Sequence, residues 1–113
     1  MPKDIGSVLE ESVKSGWLTT GPKVKIFEKS LEEYLGAKYV VALNSCTAAL
    51  HLSLAAKEFE PNAKIIVPTY TFVSTVEIVE YLGCQPVLID CDENFNIDLN
   101  QVKAKLKTEK NIR

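Results

Sequence analysis

Lys64-Ile65-Ile66-Val67-Pro68-Thr69-Tyr70-Thr71-Phe72-Val73-Ser74-Thr75-Val76-Glu77-Ile78-Val79-Glu80-Tyr81-Leu82-Gly83-Cys84-Gln85-Pro86-Val87-Leu88-Ile89-Asp90 is the stretch on which the fold turns. Lys64 to Val67 is a short β-rich run, and Pro68-Thr69-Tyr70-Thr71 follows as a loop. Phe72 to Leu82 suits a helix closed by Gly83, and Gln85 to Asp90 returns to a β-rich run. Strands alternating with helices through short loops predict a layered α/β architecture with a mainly parallel sheet and flanking helices.

Upstream, Tyr39-Val40-Val41-Ala42-Leu43 is apolar on both faces, the pattern of a buried parallel strand. It breaks at Asn44-Ser45, and Cys46 to Ala56 is a strong helix former. Ser7 to Ser15 carries Val8, Leu9 and Val13 among charged residues, as an amphipathic helix stopped by Gly16 would. After a hinge, Pro22 is placed to open a second helix, in which Val24, Phe27, Leu31 and Leu35 form an apolar face up to Gly36. Downstream, Cys91 to Asn96 forms a loop, and Asp98 caps a last helix running to about Leu106. Residues 1–36 thus read as N-terminal helices with a loop, and 37–113 as the start of a sheet. Lys105 to Arg113 is charged and holds no evident further strand, while a three-stranded parallel sheet is thin for an element that needs both faces covered. The expectation is a chain that stops inside a larger domain.

The 113 residues are 46% hydrophobic and 25% charged, the balance of an ordinary globular protein. A net charge of -2 with interspersed signs leaves no basic stripe for a nucleic acid. No window approaches the roughly 20 apolar residues of a membrane span, and the N-terminus lacks a leader pattern, so a cytoplasmic protein is expected, without a membrane partner. Cys46, Cys84 and Cys91 form no CxxC or Cys/His cluster, which indicates neither a disulfide framework nor a metal site. Cys84 and Cys91 are expected as small buried or half-buried thiols.

In sheets of this kind ligands bind beyond the carboxyl ends of the strands. Two junctions stand there. At Leu43-Asn44-Ser45-Cys46-Thr47-Ala48-Ala49 a strand leads into a helix whose unpaired NH groups, with the Ser45 and Thr47 hydroxyls, could receive a phosphate. The alternative is that Ser45 or Thr47 simply caps the helix. At Val67-Pro68-Thr69-Tyr70-Thr71-Phe72-Val73-Ser74-Thr75 an aromatic ring could lie over a flat heterocycle held at the first junction, or Tyr70 and Phe72 could be core or staple residues. His51 reads as packed or half-exposed, Glu32, Glu33, Glu77 and Glu80 as solvated faces, and Asp90 and Asp92 as loop caps. No GxGxxG fingerprint, P-loop or GxSxG elbow is present.

Taken in order, Ser15 to Pro22, Leu35 to Lys38, Ala42 to Leu52, Ile66 to Thr75, and Gly83 to Val87 with Asp90 resemble successive landmarks of the DegT/DnrJ/StrS sugar aminotransferases. The resemblance runs nearly the whole length, and it favours the phosphate and stacking readings of the two junctions. It implies part of the large domain of a fold-type I, aspartate-aminotransferase-like enzyme that uses pyridoxal 5'-phosphate (PLP), dimeric, with sites at the subunit interface. The implied activity is transfer of an amino group from an amino acid, expected to be L-glutamate, to a keto sugar nucleotide, feeding polysaccharide biosynthesis or related pathways. The alternatives are a PLP-dependent sugar dehydratase of the same family, in which histidine replaces the anchoring lysine, or a truncated, non-catalytic binding or dimerisation module.

By the same resemblance, Thr47 and Ala48, with Ser45, match the surroundings of the PLP phosphate, and Phe72 matches the aromatic over the pyridine ring. Trp17, Leu18, Thr19, Thr20 and Gly21 match a substrate-side segment that Cys46 and Ser74 also face. Where this chain has Cys46 most relatives carry Gly or Ala, so the thiol narrows the pocket or alters its polarity. The family's Schiff-base lysine and the carboxylate at the pyridine nitrogen lie downstream of these landmarks. Lys38, Lys57 and Lys64 do not stand in the matching context, so no residue here is assigned as catalytic and the chain alone is expected to be inactive.

Overall fold

The computed structural model describes residues 4–113, which form two compact units, one up to Ala42 and one from Leu43 to Arg113.

The first unit holds α1 (Ile5–Lys14) and α2 (Pro22–Leu35). Gly16, at φ +73°, follows α1, because a left-handed residue ends a helix cheaply only when it lacks a Cβ. Pro22 opens α2 at a position where its missing NH costs nothing, and Gly36 closes it in the left-handed conformation. Lys23 ties the two helices. Its Nζ donates to Val8 O at 3.1 Å, Ser12 Oγ at 2.9 Å and Glu11 Oε2 at 3.3 Å. The apolar face expected on α2 is present but not buried in this unit: Val24 and Leu31 are half-buried, whereas Phe27 and Leu35 are exposed.

Tyr39 to Leu43 departs from expectation. It forms no strand, and Tyr39 and Val41 are more than 70% exposed. A strand exists through the ladder it shares with a neighbour, and among the described residues none pairs with this segment. The Ala42 NH donates instead to Glu28 Oε1 at 2.8 Å.

The second unit runs α3 (Cys46–Ala55), β1 (Lys64–Pro68), α4 (Ser74–Tyr81), β2 (Gln85–Ile89) and α5 (Leu99–Thr108). β1 and β2 pair in parallel, from Lys64 opposite Gln85 to Pro68 opposite Ile89, with α4 as the crossover. Alternation of side chains sends Ile65 and Val67 of β1 to one face, where they pack with Ala63, Cys84, and Ile78 and Val79 of α4. Leu54 of α3 and Phe59 complete the edge of this core. Leu88, opposite Val67 in the register, lies on this same face at its less covered end and is 53% exposed, whereas Val87 and Ile89 turn to the other face and are buried. Cys84 is buried and Cys91 half-buried, both free.

At the end of the described residues no further strand follows α5, as expected, but Ile112 forms an isolated parallel bridge with Lys64 on the side of β1 away from β2. Lys64 NH donates to Asn111 O and Arg113 NH donates to Lys64 O, both at 2.9 Å. Glu109 secures the approach, accepting from Lys64 Nζ and Lys105 Nζ at 2.8 Å each. A single bridged residue leaves no hydrophobic period to read, which is why the pattern of Lys105 to Arg113 did not betray it.

Candidate functional site

The loops that matter leave the carboxyl end of β1 and the amino ends of α3 and α4. Ser45 is extended (φ -158°, ψ 155°), and its Oγ accepts from the Ala48 NH at 3.1 Å, so it caps α3. The Ser45 hydroxyl donates weakly to Asn44 Oδ1 at 3.4 Å. Ala49 NH is satisfied by Ser45 O. Among the described residues, no hydrogen bond ends on the NH groups of Cys46 and Thr47. Two donors are therefore unpaired at the positive end of a ten-residue helix, beside the exposed residues Cys46 and Thr47.

Thr47 also fixes where α4 begins relative to α3. Its Oγ1 lies 2.9 Å from Ser74 Oγ, and Ser74, the first residue of α4, is only 7% exposed. Ser74 was expected on the substrate side; its hydroxyl is turned to Thr47 and covered. Two residues earlier, Phe72 is 74% exposed. Its carbonyl accepts from Thr75 NH in the turn that starts α4. A staple would require Phe72 to pack on the residue four into α4, and that residue is Glu77. Neither the core nor the staple alternative therefore describes this ring.

Tyr70 is likewise exposed, with its ring 5.5 Å from that of Phe95, tilted by 44°. Thr69 joins the two strand ends, its NH donating to Ile89 O at 2.9 Å and its hydroxyl to Asp90 Oδ1 at 3.1 Å. Asp90 Oδ1 also accepts from Cys91 NH, while Asp92 Oδ1 accepts from Asn94 and Asn96 NH. These carboxylates hold loops, as their spacing suggested. Asp98 caps α5, and the Asn100 NH, followed by the Gln101 side chain, lowers its pKa. His51 is half-buried on α3.

Trp17, Leu18, Thr19, Thr20 and Gly21 belong to the N-terminal unit, where Trp17, Thr19 and Gly21 with Glu11, Ser15 and Lys23 line a cavity of about 300 Å³. Trp17 lies against Gly21 so closely that a Cβ there would stand 3.1 Å from Trp17 Cβ. Lys23, which ties α2 back to α1 beside this loop, escaped the sequence reading because nothing in its spacing distinguishes it from the other surface lysines of α2.

The meeting of α3 and α4 thus joins Thr47 to Ser74, with Ser45, Cys46 and Ala48 beside Thr47 in the chain and the exposed Phe72 two residues before Ser74. This patch offers what a phosphorylated flat heterocycle needs: unpaired NH donors, a hydroxyl held by a neighbour, and an aromatic face with nothing on it. The Ala48 NH is already engaged by Ser45 Oγ.

Over residues 1–112 the chain matches the DegT/DnrJ/EryC1/StrS aminotransferase family. It is 47% identical over 95 residues to the spore coat polysaccharide biosynthesis protein SpsC of Bacillus subtilis, covering 83% of this chain and 24% of SpsC. It is 41% identical over 94 residues to the UDP-4-amino-4-deoxy-L-arabinose–oxoglutarate aminotransferase of Shewanella sediminis, covering 82% and 24% of the two chains. Among solved structures, the PLP form of the sugar aminotransferase Spr1654 of Streptococcus pneumoniae superposes with a TM-score of 0.81 at 34% identity, over 92% of this chain and 26% of that one. The chain therefore spans about a quarter of the length of the relatives it matches. The fold is that of the large domain of fold-type I aminotransferases, covered in part.

Proposed function

Because the chain belongs to the DegT/DnrJ/EryC1/StrS aminotransferase family, we propose that the full-length protein carrying it moves an amino group from an amino acid, L-glutamate for preference, to a keto sugar nucleotide by means of PLP. The observation that carries this reading is the patch at α3 and α4, where Thr47 meets Ser74 two residues after the uncovered ring of Phe72. One phosphorylated pyridine derivative could use all of it.

In this reading the NH groups of Cys46 and Thr47 and the Thr47 hydroxyl bind the phosphate, with the α3 dipole favouring its charge. Ser45 shapes the turn by capping it. Phe72 lies over the pyridine ring and keeps water from that face. PLP, when bound, supplies an electron sink for the carbon that exchanges its amino group. Trp17 to Gly21 form a substrate-side segment by the family resemblance, and the Cys46 thiol, by the same resemblance, alters the size or polarity of the pocket next to it. The covalent anchor and the carboxylate partner of the pyridine nitrogen come from outside this chain, so the chain by itself does not transaminate. The active protein is a cytoplasmic homodimer with shared sites.

Incubation of the PLP-loaded full-length protein with L-glutamate tests the assignment. Stoichiometric release of 2-oxoglutarate, and then amination of a nucleotide keto sugar, is the expected result. Loss of a sugar hydroxyl without amination of the product would instead identify the dehydratase branch, and failure to retain PLP at all would overturn the reading of the patch.

A further inference from the structure

The hydrogen bond between Thr47 and Ser74 joins two hydroxyls in unequal surroundings. Thr47 is exposed at the first turn of α3, whereas Ser74 is 7% exposed and has Thr47 as its one side-chain partner among the described residues. A buried hydroxyl whose hydrogen has no acceptor loses the full value of its lost hydration. An exposed one can turn to solvent or ligand. Of the two possible directions, Ser74 donating to Thr47 Oγ1 satisfies the buried hydrogen and leaves the Thr47 hydrogen free to point outward. The reverse direction would place the Thr47 hydrogen on Ser74 Oγ and leave the buried Ser74 hydrogen without an acceptor.

We infer that Ser74 is a positioning residue for the anion site: it fixes the Thr47 rotamer and spends its own proton on Thr47 Oγ1, so that the Thr47 proton is aimed at a bound phosphate. The inference rests on the proposed phosphate role of the α3 terminus and deepens it. Donation into Thr47 Oγ1 also polarises the outward O–H, since hydrogen bonds in a chain strengthen one another. Being the first residue of α4, Ser74 couples the two helix termini, so the hydroxyl that meets the phosphate and the backbone that carries Phe72 are held by one contact.

The test uses the full-length protein and two probes that bind without a covalent link, pyridoxamine 5'-phosphate and pyridoxamine, titrated by fluorescence. Ser74→Ala is expected to raise the dissociation constant for pyridoxamine 5'-phosphate about fivefold, as loss of one neutral hydrogen bond does, and to leave that for pyridoxamine unchanged. Thr47→Val should do at least as much to the phosphorylated probe, and the double variant no more than Thr47→Val alone. Ser74→Ala weakening both probes alike would mean a general packing role and would overturn the inference. So would a Thr47→Val effect with none from Ser74→Ala. If neither variant changes the affinity for either probe, it is the phosphate assignment of α3 that fails, and the role of Ser74 falls with it.

Discussion

Replacement of Phe72 by Ala separates the two roles an aromatic residue could have beside α4. A buried phenylalanine cut to alanine loses ~3–5 kcal/mol of stability, from transfer and cavity terms together. Phe72 is 74% exposed, so about a quarter of its surface is covered. Scaling ~1.5–3 kcal/mol for a fully buried side chain by that fraction leaves under ~1 kcal/mol for folding. On the ligand side, stacking on a flat ring is worth ~0.5–1.5 kcal/mol beyond area burial, a factor of about two to about twelve in affinity. The full-length Phe72→Ala protein should therefore unfold at nearly the same denaturant concentration as its parent and bind pyridoxamine 5'-phosphate at least about twofold more weakly. Denaturation monitored by circular dichroism gives the first quantity and a fluorescence titration the second. A large loss of stability with affinity intact would show that the ring belongs to a core and would refute the stacking argument.

Three further outcomes follow from the geometry. Ser45→Ala removes the acceptor for the Ala48 NH and should cost about 1 kcal/mol in chemical denaturation, while shifting phosphate affinity less than Thr47→Val. Gly21→Ala places a Cβ 3.1 to 3.2 Å from Trp17 atoms, so the ring must shift; since Trp17 is the sole tryptophan, its emission maximum should move, and an unchanged spectrum would count against the contact. Lys105 and then Lys64 hold the Glu109 carboxyl at about 2, below its ordinary 4.5. Because the folded value is the lower one, this contribution to stability is complete above about 4.5 and is lost as pH falls toward 2. Carboxylate NMR should place its titration near 2 in the parent and restore it toward 4.5 in Lys105→Ala.

The βαβ unit from Lys64 to Ile89 was legible because its periods are local: alternation in the strands, a helical repeat between them, and Gly83 at φ +70° closing α4. Pro22, Gly36 and Asp98 marked helix ends for the same reason, since capping depends on the residue and its immediate backbone. The segment Tyr39 to Leu43 shows the limit. Its composition is that of a strand, but a ladder needs a second backbone, and among the described residues none stands beside it.

The patch divides along the same line. Sequence alone placed Ser45 and Thr47 at a helix start and Phe72 after a strand, which is a matter of neighbours along the chain. It could not decide between cap and phosphate ligand, or between core ring and open ring, because those depend on what approaches from residues far apart in number. Packing of α4 onto β1 and β2 decided the second of these, since Ile78 and Val79 turn inward and Phe72 is left exposed, and the same packing carries Ser74 to Thr47. Helix period sets which residues share a face, but only the burial of that face against a sheet fixes which way the loop before it must point.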